Sequence, residues 1–278
     1  MKQRSDTNAA QKVCMLLRAL SSPSPCRLKD LAAQTGLDKA SILRVLETLI
    51  DEGFVRRDDG HKTYQLGDQS ILLGLAMQQR MPVVHLARPF MLHLAANSGD
   101  TALLLQRMGN EAVCMDREFG GYPIRANYLE VGTRRPLGLS SGGLALLAWL
   151  PDAEIKAVLD VSEPALQRNY PTISRSFLED QVARTRQQGY ACVLNLLVEQ
   201  MGGIAVPLFG ADGRPFAAMV ISALARRIEQ RQETLAALLH DTAASFAKNH
   251  TGVDQSEMLK RHTVNQTPLR MPAQTLSA

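Results

Sequence analysis

The chain has 278 residues, enough for two ordinary domains, and 45% of them are hydrophobic, which excludes global disorder. Its formal net charge of +4 and pI near 9.0 are too mild to establish a nucleic-acid partner by themselves. The distribution is more telling, because residues 1–66 carry eleven Lys or Arg against eight Asp or Glu, most of the surplus in a quarter of the chain.

Residues 1–10 read as a flexible polar arm without the apolar core of a signal peptide, so a cytoplasmic protein is expected. A first helix is predicted from about Ala9 to Leu20, with Val13, Leu16, Leu17 and Leu20 on one side. Pro23 and Pro25 end it. "LKDLAAQT", Leu28–Thr35, gives a second helix and Gly36 a turn. A third helix follows from Asp38 to about Glu52, burying Ile42, Val45, Leu46 and Leu49. Phe54–Arg57 and Thr63–Leu66 read as strands around the hairpin signal Asp59-Gly60. Helix, helix, turn, helix and hairpin make a winged helix-turn-helix over residues 11–66.

That order gives the exposed face of the third helix a purpose. One apolar face seats a recognition helix, and a small, polar or cationic face enters the major groove. Arg44 can reach guanine edges, Ser41 a base or a phosphate, and Ala40 a thymine methyl. Lys39 at the helix start favours a phosphate. Arg56, Arg57, His61 and Lys62 line the wing and hold phosphates. Arg27 and Thr48 complete the DNA-facing set. Glu47 is awkward there, since it repels phosphate.

Residues 67–80 give an apolar-rich helix, with Ile71, Leu72, Leu75 and Ala76 available for packing. It reads as a linker, the alternative being an ordinary helix of the next domain. That domain covers 81–249. A helix ending at Gly99 precedes two strands around Gly109-Asn110, then a further strand and loop. A buried helix "SGGLALLAWL" stops at Pro151, and helices at about Asp152–Leu159 and Ser174–Gln188 follow. Strands "GYACVLNL", "GGIAVPLF" and "FAAMVISA" lead to a last helix, about Glu229–Lys248. Antiparallel strands flanked by helices make an α+β class. Residues 250–278 lack periodicity and read as a disordered tail.

Glycines and serines open the buried helix, where free N–H groups and the helix dipole favour an anion such as a carboxylate. Ser140 and Ser141 cap that helix or bond a ligand, Gly142 and Gly143 permit close packing, and Arg134 and Arg135 attract an acidic ligand. Catalytic groupings are thin, because the serines lack a G-x-S-x-G elbow and ordered His or Asp partners. His85 and His93 stand roughly 12 Å apart on one helix, too far for one metal. Cys14, Cys26, Cys114 and Cys192 form no C-x-x-C pair and read as buried thiols. No cofactor, metal or membrane is expected.

"LKDLAAQTGLDKASILRVLETLIDEGFVRRDD…TYQLG", "VGTRRPLGLSSGGLALLAWLP" and "GYACVLNLLVEQMGGIAVPLFGADGRPFAAMVIS", in this order and spacing, resemble the IclR family of bacterial transcriptional regulators over about residues 11–249. The resemblance implies a linker helix that dimerises, a GAF-like effector-binding domain, and dimers or tetramers on palindromic double-stranded operators. RNA polymerase stays open as a further partner. Where members carry H-C-T-A-x-G-K-A, this chain has Gly138, Leu139, Ser140, Ser141, Gly142, Gly143, Leu144 and Ala145. A pocket cysteine of some members falls at Gly203, two serines at Val220 and Ser222, and an acidic position near Val193. The implied pocket, with Leu139 at the cysteine position, is more apolar than one for very small keto acids. It suggests an aromatic or medium-chain carboxylate held at Ser140–Gly143, with Ser222 assisting. Two rivals remain: an enzyme domain using Ser140 or Ser141 with a DNA-binding appendage, and a structural nucleoid protein.

Overall fold

The computed structural model describes residues 7–21, 24–80 and 83–261, and these fall into two compact units. One runs up to His85 and includes Val131–Thr133; the other comprises Leu86–Glu130 and the residues from Arg134 onward. In the first, α1 (Ala9–Leu20) begins at Asn8, whose side chain accepts from the Gln11 N–H at 2.8 Å. The Gln11 side chain accepts from the Asn8 N–H at 2.9 Å in return. Residues 8–10 of the expected arm are therefore helix and cap, while 1–6 lie outside the described residues.

Strand β1 (Cys26–Arg27) leads into α2 (Leu28–Thr35). Gly36 ends α2 at φ +69°, a left-handed conformation that suits glycine. Asp38 then caps α3 (Lys39–Asp51), its carboxylate accepting from the Ser41 N–H at 2.9 Å. Strands β2 (Val55–Asp58) and β3 (Thr63–Leu66) form the wing, and the small antiparallel sheet has the order β1-β3-β2. Leu16, Leu31, Ile42, Leu46 and Val55 are almost fully buried in one cluster. Each such side chain contributes roughly 1.5–3 kcal/mol. Val45, expected in this core, is only half-buried at its edge. Two-residue β1 has no periodicity by which it could have been foreseen.

Helix α4 (Gln69–Arg80) belongs to this unit by chain position. Its Ile71, Leu72, Leu73, Leu75 and Met77 are each more than half exposed.

The second unit is built on six antiparallel strands in the order β6-β5-β4-β9-β8-β7. They are β4 (Thr101–Met108), β5 (Glu111–Glu118), β6 (Arg134–Pro136), β7 (Ala191–Leu194), β8 (Met201–Phe209) and β9 (Pro215–Leu224). Helix α5 (Val83–Ser98) enters at β4. Helices α6 (Ser141–Ala148), α7 (Asp152–Asn169) and α8 (Arg175–Gln188) lie between β6 and β7. After β9 come α9 (Ala225–Gln230), α10 (Gln232–His250) and α11 (Gln255–Arg261). Leu103, Leu105, Ala205, Ala218 and Val220 share a buried cluster with α6. Their strand neighbours Leu104, Ile204, Met219 and Ile221 are equally buried, so both faces of the sheet are covered; α10 also packs on β8.

Four expectations need correction here. Helix α7 does not stop at Leu159 but runs through Pro164 to Asn169, because Ser162 and Leu166 extend its buried face. The last helix is two, broken at Arg231 with φ −123° and ψ 15°. The tail is not without structure throughout: α11 buries Met258 and Gln255 against α10 and β8. Residues 262–278 lie outside the described residues. Of the cysteines, Cys26 and Cys114 are buried, but Cys14 is exposed and Cys192 half-buried. Burial pushes the Cys114 and Cys192 thiols up to about 11. Among the described residues no helix is long and apolar enough to cross a membrane.

Candidate functional site

Two faces carry the polar chemistry. On α3, Lys39, Ala40, Arg44 and Thr48 are exposed on the side opposite Ile42, Leu46 and Leu49. Neither Lys39 nor Arg44 has an ion-pair partner among the described residues. The Thr48 hydroxyl donates to the Arg44 carbonyl at 3.3 Å. Ser41 is half-buried, and its hydroxyl accepts from Lys12 Nζ on α1 at 3.3 Å. Lys12 is thus a cation on this face that the pattern of α3 did not point to. Arg27 is exposed on β1, and its N–H donates to Asp30 at 2.9 Å. Glu47 is exposed on α3.

In the wing, Arg56 and Lys62 are exposed without an ion pair among the described residues. The other two expected phosphate ligands are partly neutralised. Arg57 lies 3.1 Å from Asp59, and its guanidinium sits 5.9 Å above the Tyr64 ring. His61 Nδ1 lies 2.9 Å from Asp58, whose carboxyl the His61 ring and N–H hold below its ordinary range. The wing's net charge is therefore lower than four cations suggest, and hairpin order comes in exchange.

The second face is a cavity at the start of α6, with about 420 Å³ of space that is partly open to solvent. Ser140 caps α6, its hydroxyl accepting from the Gly143 N–H at 3.1 Å. The N–H groups of Ser141 and Gly142 and the Ser141 hydroxyl have no hydrogen-bond partner among the described residues. The first N–H groups of a helix have no intrahelical partner and are open to an acceptor from outside the chain. Of the expected effector residues, Leu139, Ser140, Ser141, Gly142, Gly203, Val220 and Ser222 line the cavity. Gly143 does not; its role is packing beside Ser140.

The glycines act through absence of a side chain. A Cβ on Gly142 would lie 2.3 Å from Leu105 Cδ1, and one on Gly203 would lie 2.5 Å from Ser141 Oγ. They let α6 approach β4, β8 and β9 closely. At the other end of the helix Arg186, 6% exposed, donates to the Ala148 carbonyl at 2.5 Å and the Leu150 carbonyl at 2.9 Å. A cation thus meets the negative end of α6 while the cavity meets its positive end.

The sequence pattern missed Tyr128, which comes from the irregular stretch between β5 and β6, and Leu196–Val198 from that between β7 and β8. It also missed Leu103 and Leu105. Residues 101–106 are all buried, so alternation in β4 does not mark which side chains face a cavity. Arg135 lines the cavity, whereas Arg134 is spent on Glu111 at 2.6 Å. The Ser222 hydroxyl donates to the Gly202 carbonyl at 3.1 Å, so it has no proton left for a carboxylate. Neither Ser140 nor Ser141 has a His, Asp or Glu as hydrogen-bond partner among the described residues. His85 and His93 are both exposed, and no cluster of metal-ligating side chains occurs among the described residues.

Comparison with known proteins bears on both faces. The family model of the IclR helix-turn-helix domain matches residues 9–59, and that of the bacterial transcriptional regulator IclR C-terminal domain matches 75–248. The HTH-type transcriptional repressor AllR of Salmonella typhi is 30% identical over 79% of this chain and 81% of its own length. KipR of Bacillus subtilis, an HTH-type transcriptional regulator, is 26% identical over 88% of this chain and 98% of its own. An IclR family regulator of Brucella abortus superposes with a TM-score of 0.71 at 23% identity, covering 89% of this chain and 94% of that one. An IclR homologue of Microbacterium hydrocarbonoxydans, solved with 4-hydroxybenzoate, gives 0.67 at 19% identity over 87% and 98%. With both of its units matched in sequence and the fold shared, the chain belongs to the IclR family of DNA-binding bacterial transcriptional regulators.

Proposed function

We propose that a small organic acid controls how this regulator binds a pseudo-palindromic operator. The supporting observation is the cavity at the start of α6, where two unpartnered backbone N–H groups, the Ser141 hydroxyl and Arg135 converge amid leucine and valine side chains. Such a lining suits a carboxylate on an aromatic or medium-chain apolar body. The 4-hydroxybenzoate complex of the Microbacterium hydrocarbonoxydans homologue favours the aromatic class. Arg44 reads bases from α3, Lys39, Arg56 and Lys62 hold phosphates, and a two-fold dimer sets two such helices about 34 Å apart. Control requires unequal effector affinity for two dimer states.

The test is a thermal-shift and calorimetry panel of benzoate, phenylacetate, octanoate, pyruvate and glyoxylate. A bound acid at about 100 times its Kd stabilises by about 2.7 kcal/mol. An aromatic or medium-chain acid should give that shift and change binding to the protein's own upstream DNA. Preference for pyruvate or glyoxylate would overturn the reading.

A further inference from the structure

The cavity lining contains one aromatic side chain, Tyr128, and its hydroxyl lies 2.9 Å from Ser222 Oγ. Because Ser222 already donates to the Gly202 carbonyl, the shared proton belongs to the phenol: Tyr128 donates and Ser222 accepts. The half-buried ring thus points from the loop inward to a residue that is 1% exposed. The Arg135 guanidinium lies 5.5 Å from the ring centroid, and Arg135 has no carboxylate partner among the described residues. The tyrosine therefore reaches across the cavity from the loop to β9, with Arg135 beside its ring. A planar acid seated between Ser141 and Ser222 would meet that phenol.

Something must therefore move for such an acid to seat there. Most of the wall is strand or helix. The stretch 195–200 is tied down by the Asn195 side chain accepting from the Gln200 N–H at 2.8 Å and by the Ala225 N–H donating to the Gln200 carbonyl at 2.7 Å. The backbone around Tyr128 is also held, since Arg117 donates to the Leu129 carbonyl at 3.0 Å. The Tyr128 side chain, by contrast, is half-buried at the edge of the core cluster, its polar ties being one hydrogen bond and one cation–π contact, and rotation about its own side-chain bonds releases both.

We propose that Tyr128 is a built-in occupant of the effector cavity. Its phenol, bonded to Ser222, holds the site closed. The effector enters by turning the ring out, and the Arg135 charge passes from the ring face to the incoming carboxylate. The proposal rests on the effector-binding reading above and deepens it in two respects. It names a phenyl-sized planar carboxylate as the best replacement for the phenol, and it makes Tyr128 a specificity-determining residue whose removal tightens binding.

Calorimetry on the full-length chain with benzoate as the probe tests this. Tyr128→Phe removes only the hydrogen bond and should bind benzoate about 2–10 times more tightly than wild type. Tyr128→Ala removes the ring and should gain about tenfold or more. It should also take up free phenol, which wild type should refuse. Arg135→Met should weaken benzoate in every background and leave phenol uptake by Tyr128→Ala intact. Fluorine NMR of protein containing 3-fluorotyrosine, with the Tyr128 signal assigned through Tyr128→Phe, should show that signal move on benzoate saturation. It keeps the test open should Tyr128→Ala fold poorly. Equal benzoate affinity in wild type and both Tyr128 variants, with an unmoved Tyr128 signal, would overturn the proposal and leave the effector site standing. Binding of no acid in the panel by wild type or Tyr128→Ala would remove both.

Discussion

Adjacent glycines at the start of α6 should respond to alanine in opposite ways. A methyl on Gly142 would stand 2.3 Å from Leu105 Cδ1, 2.8 Å from Val220 Cγ2 and 3.0 Å from Leu105 Cγ. Both neighbours are strand residues at most 3% exposed, and valine is stiff about its first side-chain bond. Overpacking of this kind costs about 1–3 kcal/mol, and the better helix propensity of alanine returns up to about 1 kcal/mol. A methyl on Gly143 meets Ser140 Oγ at 3.1 Å, Gly138 N at 3.4 Å and Ala112 Cβ at 3.6 Å, of which only the first is tight, so there the propensity gain is mostly retained. In a unit of this size each kcal/mol moves Tm by about 2–4 °C. Gly142→Ala should therefore melt several degrees below wild type, and Gly143→Ala at or above it, in calorimetric scans without added acid. If Gly142→Ala melted as high as Gly143→Ala, the close approach of α6 to β4 and β9 would be wrong, and with it the shape of the cavity.

Three further outcomes are expected. Arg44→Ala should weaken specific operator binding by on the order of 1–3 kcal/mol, whereas Lys62→Ala should weaken all sequences alike and flatten the salt dependence. Fluorescence anisotropy on cognate and scrambled duplexes at several salt concentrations separates the two, and equal losses on both duplexes for Arg44→Ala would remove the base contact. The lowered Asp58 carboxyl, held by the His61 ring and N–H, favours the folded wing above the ordinary aspartate range near 3.9. That contribution is lost as pH falls through the lowered value, so the Asp58 part of the wing's stability, read as hydrogen-exchange protection of its hairpin amides in wild type against Asp58→Asn, should be present above about pH 4 and fade below it. Arg186→Met leaves the Ala148 and Leu150 carbonyls without their donor. It should cost roughly 2–6 kcal/mol, read as a lower midpoint in urea, since each buried orphan acceptor costs about 1–3 kcal/mol.

The first unit was largely legible because its signals are local. Helix α1 spans Ala9–Leu20 and α2 spans Leu28–Thr35 as the apolar spacing and the prolines indicate, and Gly36 and Asp38 mark the ends by their own chemistry. The sheet of the second unit was legible only as separate strands. Which strands pair, and that β4 lies between β5 and β9, depends on contacts across more than a hundred residues. The helix expected to end near Leu159 continues through Pro164 because burial of Ser162 and Leu166 carries it on. Tail residues 255–261 showed too little periodicity to reveal a helix that needs β8 and α10 to bury Met258.

The same division runs through the site. Residue order alone placed serines and glycines at the start of a buried helix, since helix dipoles and unpaired N–H groups follow directly from local sequence. Only the tertiary structure decided that Ser222 is spent on a carbonyl, that Gly143 packs where Gly142 and Gly203 line the cavity, and that Tyr128 reaches in from a loop. Hydrogen-bond capacity is allocated between side chains far apart in the chain, and no local pattern records which claimant receives the proton.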